Sequence, residues 1–160
     1  MLDPLDIAGI ETTARDTSTG QNIFKAKALT SGVSCHKCNG DRVHRHDKNI
    51  KRIRDTPFAG MPTVIDIERD RFKCQHCGQT FNTPLQSGFD SRHHATRRLV
   101  RYIEEQSLNR TFAELSREVG LDEATVSRIA NRFIKHLDEL NDSLPQSALG
   151  VATVSILRAP

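Results

Sequence analysis

The period of hydrophobic positions along the chain changes once. Between Asn22 and Leu29 apolar and charged residues alternate, with Phe24, Ala26 and Ala28 set against Lys25 and Lys27, the pattern of a half-exposed strand. Thr63–Arg69 predicts the best strand and Lys51–Arg54 a shorter one, with a turn over 55–62 that carries Pro57, Gly60 and Pro62. Residues 82–91 read as a polar linker containing Pro84 and Gly88. Beyond it the period lengthens to that of a helix, and helices are expected as far as Leu144. Residues 1–21, rich in Thr, Ser, Asp and Gly without a sustained period, read as a flexible leader.

Three helices account for the second half. Residues 92–108 place Leu99, Val100 and Ile103 on one side and Arg92, Arg97, Arg98 and Arg101 elsewhere, an amphipathic helix with a basic face. Thr111 and Glu114 have the spacing of a capping box, so a second helix starts at Phe112; Gly120 is its left-handed stop. Asp122 then caps a third helix running through Val126, Ile129, Phe133, Leu137 and Leu140. Leu115, Val119, Leu121, Val126 and Ile129 are spaced to pack two helices around a tight turn, and Ser116 is small enough to let them approach. That is the pattern of a helix-turn-helix, although an ordinary helical hairpin shares its periodicity. In a helix-turn-helix the third helix would offer Thr125, Ser127, Arg128, Asn131 and Arg132 to the major groove. Arg128 suits guanine and Asn131 adenine, while Arg97, Arg98 and Arg101 suit the phosphate backbone.

Charge and composition sharpen this picture. Only 36% of the 160 residues are hydrophobic and Trp is absent, which favours two small cores over one large one. Residues 35–110 hold fifteen Lys/Arg against nine Asp/Glu, whereas 1–34 hold three against four and 111–160 five against seven. The positive field lies mid-chain, where a phosphate-binding surface is expected. Because the balance after residue 111 is negative, Arg42, Arg45, Lys48, Lys51, Arg52 and Arg54 are expected to supply part of the phosphate affinity. An acidic start and the lack of a long apolar run argue against a signal peptide or a membrane span, so a cytoplasmic protein is expected.

All four cysteines fall into two identical spacings, Cys35-His36-Lys37-Cys38 and Cys74-Gln75-His76-Cys77. Two intervening residues let a tight turn aim both sulfurs at one ion, and Gly40 and Gly78 are expected to take the positive φ of such turns. Two such turns make a closed tetrahedral shell, the arrangement of a structural zinc ion. Disulfides require an oxidising compartment, a thioredoxin-like redox motif needs one pair within a βαβ unit, and an iron–sulfur cluster fits the symmetric pairs less well than zinc. His36, His44, His46 and His76 then read as surface residues around a completed shell.

The run Cys35-x-x-Cys38, Val43-His44-Arg45-His46, Arg52-Ile53-Arg54-Asp55, Pro57, Gly60, Pro62, Arg71-Phe72-Lys73-Cys74-x-x-Cys77-Gly78 and Phe81 resembles the zinc-binding domain of the ISL3 family of insertion-sequence transposases. The resemblance extends over roughly residues 22–144. It implies recognition of double-stranded DNA at terminal inverted repeats, by a protein that works as a homo-oligomer. In that family a ribonuclease-H-like domain with a carboxylate triad follows. Here Leu149-Gly150-Val151 looks like the start of its first strand, yet nothing after Asp142 is acidic, and two-metal phosphoryl transfer needs several carboxylates. The expectation is therefore an α+β chain in four parts: a leader (1–21), a zinc-ribbon-like β module (22–88), an all-helical helix-turn-helix module (89–144) and a truncated tail (145–160). It would bind DNA without being an enzyme by itself. A stand-alone regulator or transposition inhibitor, or a zinc-ribbon module that binds protein, are the alternatives.

Overall fold

The computed structural model describes residues 5–30, 32–86 and 88–143; the expected tail, 145–160, lies outside them. In chain order the elements are β1 (Ile10–Asp16), β2 (Asn22–Ala28), β3 (Val43–Phe58), β4 (Met61–Cys74), β5 (Thr80–Asn82), β6 (Phe89–Asp90), β7 (Ala95–Thr96), α1 (Arg97–Gln106), α2 (Phe112–Val119) and α3 (Glu123–Ser143). One sheet runs in the order β1-β2-β4-β3-β7-β6, with β5 paired to the far end of β4. No helix among the described residues is long and apolar enough to cross a membrane.

The β3–β4 hairpin is much longer than the apolar pattern predicts. Its turn is only Ala59-Gly60, both at positive φ (51° and 74°), the two-residue geometry that follows the twist of the strands. The expected turn residues Asp55 to Phe58 are strand, with an irregularity between Asp55 and Phe58 that accommodates Pro57. The polar segment from Val43 to Ile50 is strand as well, because its side chains pair across the hairpin. Arg45 meets Asp70 at 2.9 Å, Lys48 meets Glu68 at 2.8 Å, and Arg52 donates to both oxygens of Asp66 at 2.7 Å. Each exposed pair stabilises by only about 0.2–1 kcal/mol, but together they set the register of strands that carry little hydrophobic information.

The expectation of a flexible leader is corrected at β1, which pairs antiparallel with β2, while Leu5 and Ile10 enter the first core beside Phe24, Ala26, Ile53, Ile65 and Ile67. Arg15 fastens this edge. Its guanidinium lies 4.7 Å from the Phe58 ring centre and donates to the Asn22 side-chain carbonyl, while the Asn22 amide donates to the Phe58 carbonyl at 2.7 Å. Such tertiary partners leave no periodic trace in residues 1–21.

The linker and the first helix also differ from expectation. Phe89 and Leu85 pack on the first core, and β6 and β7 extend the sheet across the expected module boundary. Residues 92–96 are not helical. The Asp90 carboxylate accepts from the amides of Arg92 (2.9 Å) and His93 (3.0 Å), His94 takes φ 49°, and α1 begins after Thr96, whose hydroxyl caps the Leu99 amide. The second core, Ala95, Leu99, Ile103, Leu115, Val119, Val126 and Ile129, sits among the three helices.

The two cores are joined through Asp55, a β3 residue only 1% exposed. It accepts from the Thr96 hydroxyl at 2.6 Å and from Arg98 Nε at 2.7 Å, and a second guanidinium nitrogen donates to its other oxygen. Arg98 also donates to the Leu5 carbonyl at 2.8 Å, and the Arg54 amide donates to the His94 carbonyl at 2.9 Å. Asp55→Ala leaves the Thr96 hydroxyl and the Arg98 guanidinium without their acceptor, and is expected to lower unfolding free energy by about 2 kcal/mol. Ala59→Asn, a residue that tolerates positive φ, is expected to raise it by roughly 0.5 kcal/mol. Urea denaturation of the zinc-loaded protein checks both signs.

Candidate zinc centre and nucleic-acid interface

The four cysteines converge at the end of the hairpin remote from its turn. Cys74 closes β4, opposite Val43 at the start of β3, and Cys35-Cys38 arrives from the segment between β2 and β3. All four sulfurs lie within 4.8 Å of one another and none is oxidised. The Cys35–Cys77 and Cys38–Cys74 sulfur pairs are 3.6 Å apart. A tetrahedral zinc shell with Zn–S bonds of ~2.3 Å has edges of about 3.8 Å, so the spacing fits the ion. Disulfide bonds, at about 2.0 Å, are far shorter.

Local hydrogen bonds make the two turns near copies. Asn39 N–H donates to the Cys35 carbonyl and Gly78 N–H to the Cys74 carbonyl, at 2.7 and 3.0 Å. Cys35 and Cys74 amides in turn donate to the carbonyls of Gly40 and Gln79. The left-handed residues are Asn39 (φ 53°) and Gly78 (φ 70°), which corrects the expectation for Gly40. Asn39 directly follows the second cysteine, as Gly78 does, and Asn is the non-glycine residue best suited to that conformation. Gly40 instead lies close under a side chain: a Cβ there would lie 2.6 Å from Cδ2 of the exposed His76 ring, which would have to move.

The electrostatics call for a cation. Backbone amides of Cys38 and Lys37 directed at the Cys35 sulfur bring that thiol down to about 6. The Gly40 amide acts in the same sense on Cys38, but the crowded sulfur of Cys74, burial, and the sulfurs of Cys77 and Cys35 outweigh it and push Cys38 up to about 12. Four thiolates this close cannot all ionise unless a positive ion sits among them. The site is that of one structural zinc ion. His36, His44, His46 and His76 are exposed and outside the cluster; His36 rests edge-on against Phe81.

At the other end, α2 and α3 have the predicted geometry. Thr111 and Glu114 exchange both bonds of the capping box. Gly120 takes φ 68° and its N–H donates to the Ser116 carbonyl, while the Ser116 hydroxyl donates to the Leu121 carbonyl at 2.7 Å. Asp122 caps α3 through the Thr125 amide at 2.8 Å, and the Thr125 side chain, followed by that amide, holds its carboxyl below the usual range. The turn is pressed against the hairpin, since a Cβ at Gly120 would meet Arg54 and Pro62 at 3.1 Å.

Val126, Ile129 and Ala130 face inward, which leaves Arg128, Asn131 and Arg132 exposed and Thr125 and Ser127 half-buried. Arg128 donates to the Thr125 hydroxyl at 3.1 Å and Asn131 to the Ser127 hydroxyl at 3.0 Å, so the row is partly ordered without being neutralised. Arg97 and Arg101 line an open depression with Arg92 beside Asp90 and Glu104. Arg98 departs from the sequence reading, because its guanidinium is engaged on Asp55 and Leu5. So do Arg45, Lys48 and Arg52, each paired to a β4 carboxylate, and Arg54, half-buried under the helical turn and bonded to Gln21.

The sequence reading placed His93 in the opening turn of a basic helix, whereas it lies in the turn before α1. It is 9% exposed and its Nδ1 has no partner among the described residues. Burial lowers its pKa, the field of Asp90 opposes that, and Arg132, Arg128 and Arg92 reinforce it. The turn over 90–94 therefore shares one positive neighbourhood with α3. The Asp90-Ser91-Arg92 sequence, typical of a side chain capping its own turn, was the available signal.

A tetrathiolate zinc module built into a sheet and followed by a helix-turn-helix defines a DNA-binding protein of the zinc-ribbon type. Residues 31–77 match the family model for the zinc-finger of transposase IS204/IS1001/IS1096/IS1165, and residues 87–134 match that for the helix-turn-helix domain of transposase family ISL3. No curated protein and no solved structure matches the chain. Both models describe domains of ISL3-family transposases, so the chain carries the zinc-finger and helix-turn-helix domains of that family's N-terminal region.

Stripping the metal with a strong chelator is expected to collapse the β3–β4 end of the sheet, because zinc contributes on the order of 10 kcal/mol in small modules of this kind. Circular dichroism should lose strand signal and the melting transition should fall or broaden. An unchanged melt in metal-free protein, verified by elemental analysis, would contradict the assignment.

Proposed function

We propose that this segment recognises the ends of an insertion sequence, binding terminal inverted repeats as the DNA-reading part of a transposase. The observation that carries the reading is the row Thr125, Ser127, Arg128, Asn131 and Arg132 on the leading half of α3, in which Arg128, Asn131 and Arg132 are exposed and Thr125 and Ser127 half-buried, backed by a capped α2–α3 turn. Arg128 and Asn131 present the bidentate groups that read guanine and adenine edges. Arg92, Arg97 and Arg101 contact the phosphate backbone beside the groove, and Arg98 serves the fold instead. Zinc is structural here, and strand cleavage and joining belong to a carboxylate-bearing domain rather than to residues 5–143.

Gel shifts on the terminal repeats over a salt series test this, because phosphate binding weakens steeply with salt. Arg128→Ala and Asn131→Ala are each expected to cost about 1–3 kcal/mol on the repeat and to relax specificity at one position. Arg97→Ala or Arg101→Ala should weaken all sequences alike and flatten the salt slope by about one unit. Salt-insensitive binding, or equal affinity for unrelated DNA, would favour the reading of a module that binds protein.

A further inference from the structure

The two faces of the β3–β4 hairpin differ in how their charges are satisfied. Both irregularities of the hairpin put their extra residue on β3, so β4 alternates without interruption from Thr63 to Cys74. On one face Asp66, Glu68 and Asp70 hold Arg52, Lys48 and Arg45. On the other, Ile65 and Ile67 enter the first core, and the same row continues towards the zinc site as Arg69, Arg71 and Lys73. None of these three is in an ion pair among the described residues. Asp47, opposite Arg71, is the β3 carboxylate at this end of the face, and its Oδ1 accepts from the Lys48 amide.

Arg69 is half-buried, and its Nε is a buried atom without a hydrogen-bond partner among the described residues. Burial lowers its pKa and no carboxylate opposes the shift. Asn49, opposite Arg69, and Asn82, opposite Arg71, each leave a buried side-chain oxygen unpaired as well. A partly desolvated cation without a counter-charge costs stability, and nothing within the fold repays it. Arg71 and Lys73 are exposed.

We infer that this face of the hairpin is a second phosphate-binding surface, along which one strand of duplex DNA lays consecutive phosphates on Arg69, Arg71 and Lys73. Alternate residues of a strand stand about 6.7 Å apart, close to the separation of neighbouring phosphates on one nucleic-acid strand. A row of evenly spaced cations on an open strand suits a polyanion rather than a free phosphate ion. The inference rests on the reading of the chain as a DNA-binding protein, and that reading selects duplex DNA over an acidic polypeptide. Val64 lies opposite Arg54, where the helical turn is seated, and the row extends from about 17 to about 30 Å beyond it along β4. Both distances are less than one turn of duplex, about 34 Å, so the DNA that α3 engages reaches the row within one further turn.

Amine acetylation of the zinc-loaded full chain, read by mass spectrometry with and without a random-sequence duplex of about three turns, tests this at low salt. Lys73 is expected to be protected, while Lys25 and Lys27, exposed on the other face, react as before. Arg69→Gln/Arg71→Gln/Lys73→Gln should flatten the salt slope on that duplex by about 2–3 units and weaken binding at least about tenfold. Its preference for the terminal repeat over random sequence should be unchanged. Arg69→Lys/Arg71→Lys should keep the wild-type slope, and so should Lys25→Gln/Lys27→Gln. Should Arg69→Gln disturb zinc content or circular dichroism, Arg71→Gln/Lys73→Gln gives the same reading from exposed positions alone. Unprotected Lys73 together with a wild-type slope in the glutamine variants overturns the inference, even where α3 recognises the repeat. Protection by polyglutamate but not by duplex overturns it too and makes the partner an acidic protein. A wild-type chain that binds through this row yet shows no preference for the repeat would instead remove the reading of α3 and leave this one standing.

Discussion

Asp55 is the constraint on which the rest of the arrangement depends. A carboxylate buried on a central strand demands donors, and the chain supplies them from the start of α1: a hydroxyl that also caps that helix, and a guanidinium that also holds the Leu5 carbonyl. Three segments distant in sequence are thereby brought to one point, and α1 has a fixed orientation on the sheet. With β6 and β7 joining the sheet and Gly120 pressed on Arg54 and Pro62, the helix-turn-helix is seated on the hairpin rather than tethered to it.

The hairpin then acts as a rigid spacer. From Val43 to Arg54 it spans about 35 Å at the usual rise of a strand, with the zinc site at one end and the helical turn at the other. Neither end has a large core. The zinc end depends on the metal, and the middle depends on cross-strand ion pairs that hold register where the hydrophobic pattern is thin. Those pairs set Arg45, Lys48 and Arg52 of β3 against carboxylates of β4. One positive cluster beside α3 comprises Arg92, Arg97, Arg101, Arg128 and Arg132.

Residues with local physics were legible. The cysteine pairs announce their ion because two-residue spacing is chemistry in itself, and the capping box, Gly120 and Asp122 mark helix ends through bonds between near neighbours. The strand over Asn22–Ala28 was legible from its alternation, whereas β1 and the outer parts of β3 and β4 were not, because they are held by cross-strand partners rather than by an apolar pattern of their own. Arg98 illustrates the same limit: on a helical wheel it is indistinguishable from Arg97 and Arg101, and only the approach of Asp55 separates it from them.

The amino-acid sequence by itself determined the tetrathiolate centre, the capped pair of helices and the side chains that α3 turns outward, since each follows from spacing within one turn or one helix. Tertiary structure decided that residues 10–16 are a strand, that the two modules share a sheet, and that Arg98 is engaged on Asp55. The reason is range. Caps and paired cysteines satisfy their bonding within a few residues, whereas a buried carboxylate or a polar strand is satisfied only by groups that folding brings from elsewhere in the chain.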